Sequence, residues 1–302
     1  MENSGVKSRE DRIYQGIIIA ILAVFALCAI LPFLIVVSSS FTDDGTLARE
    51  GYNFWPRKWS TYAYWYLFKS NAKKVFRSYG ITIFITVVGT ALSLLIGPML
   101  GWVLSRKDYK RGKLLTFLVF FTMLFNGGVV PSYIMYTQLF HLKNNILALI
   151  FPTLLFNGFY IMLFKNNFQQ NIHPALIEAA KIDGAGELYI YFKVVLPLSL
   201  PILATIGLMV GLGYWNDWTN GLYYISDTKL YGLQQYLKSI IDNISSLSSM
   251  ASTADAAAAA AKMPGTSIRM AIAVIGVLPV MVLYPFFQKA FVAGIALGGV
   301  KE

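Results

Sequence analysis

The sequence predicts an all-α integral membrane protein that crosses the bilayer six times. Of its 302 residues, 56% are hydrophobic and only 13% are charged, and the mean hydropathy is +0.58. A soluble domain of this length needs more charge to cover its surface. Asp, Glu, Lys and Arg are absent from six windows, and each window has the length of ~20 residues that a spanning helix requires. We place the spans at 14–37, 79–104, 114–136, 146–164, 196–215 and 268–288.

The first apolar run follows basic residues, as the core of a secretion signal does. It continues through Val37, however, and Leu27 stands where a lipobox before Cys28 requires a small residue. We therefore expect an uncleaved first span. Cys28 is the single cysteine, so the sequence offers no disulfide framework, and no Cys/His cluster predicts a metal site.

The distribution of Lys and Arg predicts which segments face the cytoplasm. When Lys and Arg are counted over whole loops, the two sides of the membrane carry nearly equal numbers. Segment 105–113, however, places five cations between two closely spaced spans, where the positive-inside bias acts most strongly. This segment therefore sets the orientation of a transmembrane domain at 14–288. The predicted cytoplasmic parts are the tails 1–13 and 289–302 and the loops 105–113 and 165–195, and the predicted external segments are 43–78 and 216–267.

The first external segment is aromatic and basic, which suits an interfacial helix on the outer surface. Its cations at Lys69, Lys73, Lys74 and Arg77 either attract acidic sugars or an acidic partner, or extend toward lipid head groups. The second external segment contains an alanine run at 256–261, for which we expect a short helix before the last span.

Aromatic and amide side chains cluster at the outer end of the fifth span. Sugars stack their apolar faces on aromatic rings and form hydrogen bonds at their rims, so such a cluster suits a sugar path. An interfacial aromatic belt with turn-forming Asn is the alternative. The candidate substrate-path residues are Tyr214, Trp215, Asn216, Trp218, Asn220 and Tyr223.

Glycines mark two further positions in the spans. Gly207, Gly211 and Gly213 form a small-residue stripe in span five, where helices can approach closely, either within the same bundle or with a partner. Asn126-Gly127-Gly128 before Pro131 predicts a break in span three.

Several classes of function are disfavoured. No ionisable residue lies in mid-membrane, although proton- or cation-driven carriers generally need such groups as relays or ion ligands. A phosphate-binding loop and a catalytic Ser/His/Asp grouping are also missing, so we expect neither ATP binding nor catalysis by this chain. The net charge of +10 is divided between two membrane faces, which argues against nucleic acid.

The loop between spans four and five predicts a helical hairpin. Pro174 suits the first helical turn, where its missing N–H costs nothing, and the apolar side chains of Leu176, Ile177 and Ala180 share one face. Gly184 can adopt the left-handed conformation that ends the helix. A second, aromatic-rich helix then leads to Pro197. A short amphipathic helix of this kind is well shaped to lie in a groove of another protein.

The same segment resembles the EAA loop of permease subunits of bacterial ATP-binding-cassette (ABC) importers. The pattern of that loop is E-A-A, three residues, G, nine residues, I, one residue, L-P. Val194 stands where Ile is usual, which keeps a β-branched apolar side chain. The matching residues are Glu178, Ala179, Ala180, Gly184, Leu196 and Pro197, and the flanking Pro174 and Asp183 are similar to the sugar-importer branch.

The resemblance implies a function and partners. In that family the loop is a coupling helix that docks in a cleft of the ATPase subunit and carries nucleotide-driven closure into the membrane. It therefore implies a bacterial cytoplasmic-membrane permease subunit, not itself an enzyme, that imports sugars or oligosaccharides by alternating access. The implied partners are a second permease, two ATPase subunits that bind ATP and Mg²⁺, and an extracellular solute-binding protein. A self-contained channel, an ion-coupled carrier and a membrane-embedded enzyme are the alternatives.

The end of the chain extends the resemblance. Residues 285–294 and 298–301 resemble the tail of six-span sugar permeases of the maltose-importer type. The alanine-rich stretch and residues 215–222 look most like the branch for aldouronate and other polysaccharide-derived oligosaccharides.

Overall fold

The computed structural model describes residues 9–152, 155–249 and 265–299, and within these ranges regular structure is almost entirely helical. The one exception is an isolated antiparallel bridge between Thr42 and Trp59. The helical class predicted from composition is therefore confirmed. The helices are α1 (Arg9–Ser40), α2 (Asp44–Glu50), α3 (Tyr62–Trp65), α4 (Ala72–Ser105), α5 (Gly112–Leu124), α6 (Val129–Ile134), α7 (Gly158–Asn171), α8 (Pro174–Ile182), α9 (Glu187–Ile190), α10 (Leu196–Leu198), α11 (Leu200–Asn216), α12 (Thr219–Tyr224), α13 (Leu233–Ser249) and α14 (Thr266–Gly299).

Length and apolar composition identify fewer spans than the sequence predicts. In the described ranges, Ile13–Ser40 and Ala72–Ser105 are each long enough to cross a membrane. Two bent pairs, Gly112–Leu124 with Val129–Leu139 and Glu187–Leu198 with Leu200–Asn216, raise the number to four if each is one span. A shorter apolar stretch covers Thr266–Val282. The count of six stays a prediction.

Three predicted spans are interrupted, and the one at 196–215 bends by 81° between α10 and α11. The span at 114–136 bends by 113° between α5 and α6, at the break that the Asn126-Gly127-Gly128 sequence predicts. Gly128 has φ +87 and its N–H donates to the Asn126 side chain at 2.9 Å. The span at 146–164 is a short 3₁₀ turn, Ile146–Leu149, followed only at Gly158 by α7.

The first external segment is not one interfacial helix. It contains α2, a loop whose Trp59 forms the bridge with Thr42, and α3, which a single π-helical turn continues to Ser70. Lys73, Lys74 and Arg77 lie on the first turns of α4, which begins seven residues before the predicted span. The alanine run at 256–261 lies outside the described residues.

The chain divides into two compact units. The first comprises Met1–Asn71 and Asn243–Val277. In it the Asp44 carboxylate accepts hydrogen bonds from Gly265 N at 2.9 Å, Ser267 N at 2.8 Å and Ser267 Oγ at 2.9 Å. An acidic side chain on α2 thus caps the N-terminus of α14, where unpaired N–H groups and the helix dipole favour negative charge.

The second unit comprises Ala72–Asp242 and Leu278–Glu302 and is built around α4. Helices α7 and α11 pack along α4, and small residues allow their close approach. Gly207 faces Leu94 and Gly211 faces Thr90, so these two glycines of the stripe pack within their own bundle. Gly101 lies directly against the backbone of α7, where an added Cβ would stand 2.6 Å from Phe164 Cβ and 3.2 Å from Lys165 N.

We predict that Gly101→Ala lowers the thermal unfolding midpoint of the purified protein by several degrees. The added methyl meets backbone atoms of α7, which cannot move aside by a rotamer change, and overpacking of this kind costs about 1–3 kcal/mol. Gly80→Ala is the matched control on α4, because nothing lies within 4 Å of the added Cβ. Equal midpoints for the two variants would contradict the close contact of α4 with α7.

Candidate functional site

Helix α8 is capped by His173 at its start, before the predicted Pro174, and by the predicted turn at Gly184 at its end. The ring Nδ1 of His173 accepts a hydrogen bond from Ala175 N at 3.3 Å, and Pro174 occupies the first turn. At the other end, Ala185 N donates to Ala180 O at 2.9 Å and Gly184 N donates to Lys181 O at 3.0 Å. This pair is a Schellman motif, and Gly184 has the φ of +79 that such a turn requires. The predicted left-handed Gly184 is confirmed.

One face of α8 packs inward and the other is exposed. Ile177, Ala180 and Ala185 contact a buried cluster, whereas Leu176 is 46% exposed although the sequence places it on the same face as Ile177 and Ala180. Ile182, on the last turn, is 86% exposed. The remaining exposed residues of the predicted docking face are Pro174, Glu178, Ala179, Asp183 and Gly184.

A buried cluster joins the hairpin to the helices behind it. Ile190, Tyr191 and Val195 come from the second arm, and they pack with side chains of α4, α7 and α11 that include Trp102, Phe164, Phe168, Ile206 and Tyr214. Val194 and Leu196 pack on its margin, whereas Pro197 is exposed in α10. Beyond Ser199 the chain turns by 81° into α11. The hairpin therefore rests on the bundle as part of the same packed unit.

Four charged side chains fix the hairpin to the end of α4. Arg106 donates to Asp108 Oδ1 at 2.8 Å, to Asp108 Oδ2, and to Glu187 Oε2 at 2.9 Å. Lys181 on α8 lies 3.1 Å from Glu187 Oε1 and 3.9 Å from Asp108 Oδ2. The Arg106 guanidinium also stacks over the Trp102 ring, 5.3 Å from its centroid. The Arg106 side chain is only 14% exposed, so it is the most shielded member of this network.

The network changes the pKa of its exposed carboxylate. The Arg106 hydrogen bond lowers the pKa of Asp108 from 3.8 to about 2. A carboxylate whose pKa is lower in the folded than in the unfolded protein contributes its full stabilisation at pH values above the unfolded-state pKa. That stabilisation is lost as the pH falls through the folded-state pKa. The Asp108 contribution is therefore complete above pH 4 and disappears only toward pH 2.

Half of the predicted substrate-path residues are buried. Tyr214 is fully enclosed, with its hydroxyl donating to Ile150 O at 2.8 Å and its ring over Gly89. Trp215 and Asn220 are 5% and 6% exposed. The exposed members are Asn216, Trp218 and Tyr223. A substrate path stays a prediction for this cluster, and the three exposed side chains are the ones available for contact.

Local hydrogen bonds explain the polar residues of this cluster, which the sequence predicts to be external. Asp217 accepts from Thr219 N at 3.0 Å, Asn220 N at 3.1 Å and Asn220 Nδ2 at 2.6 Å, so it caps α12. Lys238 Nζ lies 5.2 Å from the Trp218 ring centroid and 3.0 Å from Asp242 Oδ1. Helix α11, 17 residues long, spans about 25 Å between this cluster and the hairpin.

The ion network was not predicted from the sequence. Arg106 and Glu187 are 81 residues apart, and no periodic pattern relates them. The only sequence signal is that each loop carries charges of both signs. Among the described residues, no group of three or more His, Cys, Asp or Glu is placed to hold a metal ion.

Comparison with known proteins identifies relatives along the whole chain. Residues 4–297 match the family described as "Binding-protein-dependent transport system inner membrane component". The Bacillus subtilis polygalacturonan/rhamnogalacturonan transport system permease protein YtcP is 37% identical over 97% of this chain and 99% of its own length. The Halalkalibacterium halodurans arabinooligosaccharides transport system permease protein AraQ is 27% identical over 98% of this chain and 100% of its own length.

A solved structure is also similar over nearly the whole chain. It is a chain of a bacterial ABC transporter involved in the import of the acidic polysaccharide alginate. The two chains superpose with a TM-score of 0.77 at 30% identity, covering 95% of this chain and 100% of the other.

We predict that Glu187→Gln increases amide hydrogen exchange in residues 174–190 about two- to fivefold. The substitution removes the carboxylate that pairs with Arg106 and Lys181, and exposed ion pairs contribute about 0.2–1 kcal/mol. Glu178→Gln is the matched control, since Glu178 has no ion pair with any described residue. Unchanged exchange in the Glu187 variant would show that the buried cluster alone holds the hairpin.

Proposed function

The chain belongs to the binding-protein-dependent transport system inner membrane components, and from this membership we propose that it is the permease subunit of an ATP-driven importer of oligosaccharides. The observation that carries the proposal is the exposed face of α8, from Glu178 to Gly184. It presents apolar and acidic side chains to solvent while its opposite face is packed on the bundle. Apolar side chains this exposed, on a short helix with fixed ends, are typical of a docking element.

The proposed function of the hairpin is mechanical coupling to ATPase subunits. Closure of a nucleotide-bound ATPase dimer moves the docked α8 helices, and the ion network and buried cluster pass that movement to α4 and α11. The membrane helices then open toward the outside, substrate enters from the binding protein, and ATP hydrolysis restores the inward-facing state. ATP and Mg²⁺ belong to the ATPase subunits in this mechanism, and this chain performs no catalysis. The hairpin and both termini are cytoplasmic in this arrangement.

The proposed assembly contains this chain, a second permease of the same family, two ATPase subunits and an extracellular solute-binding protein. The apolar exposed surface of α5, with Phe117 59% and Leu124 64% exposed, gives the chain further surface for lipid or a partner permease. An ion-coupled carrier or a channel would need no exposed docking helix of this kind. Transport without ATP would favour those alternatives.

Acidic oligosaccharides are the proposed substrate class. The polygalacturonan/rhamnogalacturonan permease and the alginate importer are named for polysaccharides that include acidic ones, and the chain resembles both along most of its length. Lys69, Lys73, Lys74 and Arg77 supply positive charge near the start of α4, on the side proposed to be external. Such a cluster attracts an acidic sugar or an acidic face of its binding protein.

We predict that Gly184→Val uncouples ATP hydrolysis from uptake while the complex still assembles. An added Cβ meets no atom within 4 Å, so the penalty is conformational: a β-branched residue at φ +79 costs roughly 1–2 kcal/mol or more and favours a different turn after α8. In reconstituted vesicles, we expect oligosaccharide uptake to fall at least tenfold while ATP hydrolysis persists.

Gly184→Asn is the control for this experiment, because Asn tolerates the left-handed region better than other side chains. It should retain most of the uptake even though it is larger than Gly. Full transport by the Val variant, or equal loss in the Val and Asn variants, would contradict coupling through this turn.

We predict that replacing Lys69, Lys73, Lys74 and Arg77 together by Glu slows uptake of galacturonate oligosaccharides about tenfold or more at low ionic strength. The difference from the unsubstituted importer should shrink as salt is added, since exposed charges are screened. Neutral arabinooligosaccharides serve as the control substrate if the importer accepts them. Salt-independent and unchanged uptake of the acidic sugar would contradict electrostatic attraction by this run.

A further inference from the structure

A basic cavity of about 830 Å³ opens where α4 ends, α5 begins and α7 passes beside them. Its volume lies within the range of about 300–1,000 Å³ that small-molecule sites occupy. It is contained in the second unit, at the same end of α4 as the ion network. The predicted site residues do not line it.

The charge of this basic cavity is uncompensated. Its lining contains Arg106, Lys107, Lys110, Lys113 and Lys165, and no described carboxylate contributes to it. Arg106 is paired with Asp108 and Glu187 on its other side, but the four lysines form no ion pair with any described residue. Lys165 is moreover half-buried on α7. Clustered like charges repel, so an anion at this position lowers the electrostatic energy.

The N-terminus of α5 adds to this attraction. Gly112, the first residue of α5, lies in the lining and is buried. The N–H of Gly112 donates to Tyr109 O at 2.9 Å, and the N-terminus of this 13-residue helix carries the positive end of the helix dipole. Helix α5 therefore begins beside the lysines with the sign of charge that favours an anion.

Four apolar side chains also line the basic cavity. They are Leu104, Phe117, Phe120 and Met162, and Phe117 and Phe120 are 59% and 45% exposed. Both rings belong to α5, one and two turns beyond its first residue. They therefore extend from the lysines along the apolar helix. The cavity thus combines cationic side chains with exposed apolar ones.

We propose that this basic cavity binds an anionic phospholipid, with the phosphate among Lys107, Lys110, Lys113 and Lys165 and an acyl chain along Phe117 and Phe120. The basic cavity lies at the end of α4, which is long and apolar enough to cross a membrane, and basic pockets between helices at such ends attract anionic lipids. A soluble phosphate would use the cations but leave Phe117 and Phe120 uncovered, and an acidic protein surface would not extend along α5. Lipid chemistry matches both the cationic and the apolar side chains of the lining.

Bound lipid would also act on the coupling hairpin. Arg106 lines the basic cavity on one side and pairs with Glu187 on the other. A lipid phosphate in the cavity therefore reduces the repulsion between the cavity lysines and Arg106. It thereby favours the arrangement in which the Arg106 guanidinium holds the hairpin. This effect rests on the proposed function, whereas lipid binding itself does not.

The experiment compares lipid retention by the importer purified with its partner subunits. The complex is exposed to equal amounts of phosphatidylglycerol and phosphatidylcholine in mild detergent, and retained lipid is counted by native mass spectrometry. We expect preferential retention of phosphatidylglycerol, and an affinity about tenfold or more weaker after Lys107→Gln, Lys110→Gln and Lys113→Gln are combined. Inorganic phosphate and glycerol phosphate at equal concentration should displace little of the lipid.

Two matched variants control for charge and for folding. Replacing Lys143, Lys193 and Lys229 by Gln removes the same charge from exposed positions outside the basic cavity and should leave retention unchanged. Replacing the three cavity lysines by Arg keeps the charge and should retain the lipid. If the Gln combination does not assemble, Lys113→Gln alone and Phe117→Ala supply the measurement, each with an expected loss of about two- to fivefold.

The proposal is overturned if phosphatidylglycerol and phosphatidylcholine are retained equally, or if the cavity and control variants lose the same amount. Complete displacement by glycerol phosphate would assign the basic cavity to a soluble anion. Loss of the ATPase subunits with unchanged lipid retention would assign its lysines to a protein contact. None of these outcomes depends on transport, so a failure of the lipid site is distinguishable from a failure of the importer assignment.

Discussion

Beside the buried cluster, one guanidinium ties the α8–α9 hairpin to the end of α4: that of Arg106, held between the Trp102 ring and the carboxylates of Asp108 and Glu187. A single exposed ion pair would contribute little, but this group is mostly shielded from solvent and its planar fork meets two carboxylates at once. Lysine at this position could not make the same set of contacts, because its ammonium is a point charge without a stacking face. The loop after α4 and the hairpin are therefore one structural element, although 81 residues separate them in sequence.

Packing continues from this ion network into the membrane helices. The buried cluster runs from Ile172 and Ile190, beneath the hairpin, to Tyr214 near the far end of α11. The Tyr214 hydroxyl then reaches the Ile150 carbonyl, so a continuous set of contacts joins the two ends of α11. Close-packed side chains of this kind resist compression and transmit displacement. A movement imposed on α8 therefore has a direct mechanical route to the outer cluster.

Sequence reasoning succeeded where local chemistry decides the structure. Charge-free windows predicted helical membrane segments, Pro174 and Gly184 predicted both ends of α8, and the double glycine predicted a break after α5. It was less successful where contacts are distant in sequence. Tyr214 has the side chain of a sugar-binding residue, but the glycine at position 89 of another helix lets it pack inward. The external aromatic segment has interfacial composition, yet the pairing of Thr42 with Trp59 folds it back on itself.

The cap that Asp44 provides to α14 has a consequence for biogenesis. Its hydrogen-bond donors, Gly265 and Ser267, are made more than two hundred residues later, when most of the chain has already left the ribosome. The first unit can thus be completed only after residues as far as Val277 have been synthesised, and until then the Asp44 carboxylate lacks the three hydrogen bonds that it accepts in the finished unit.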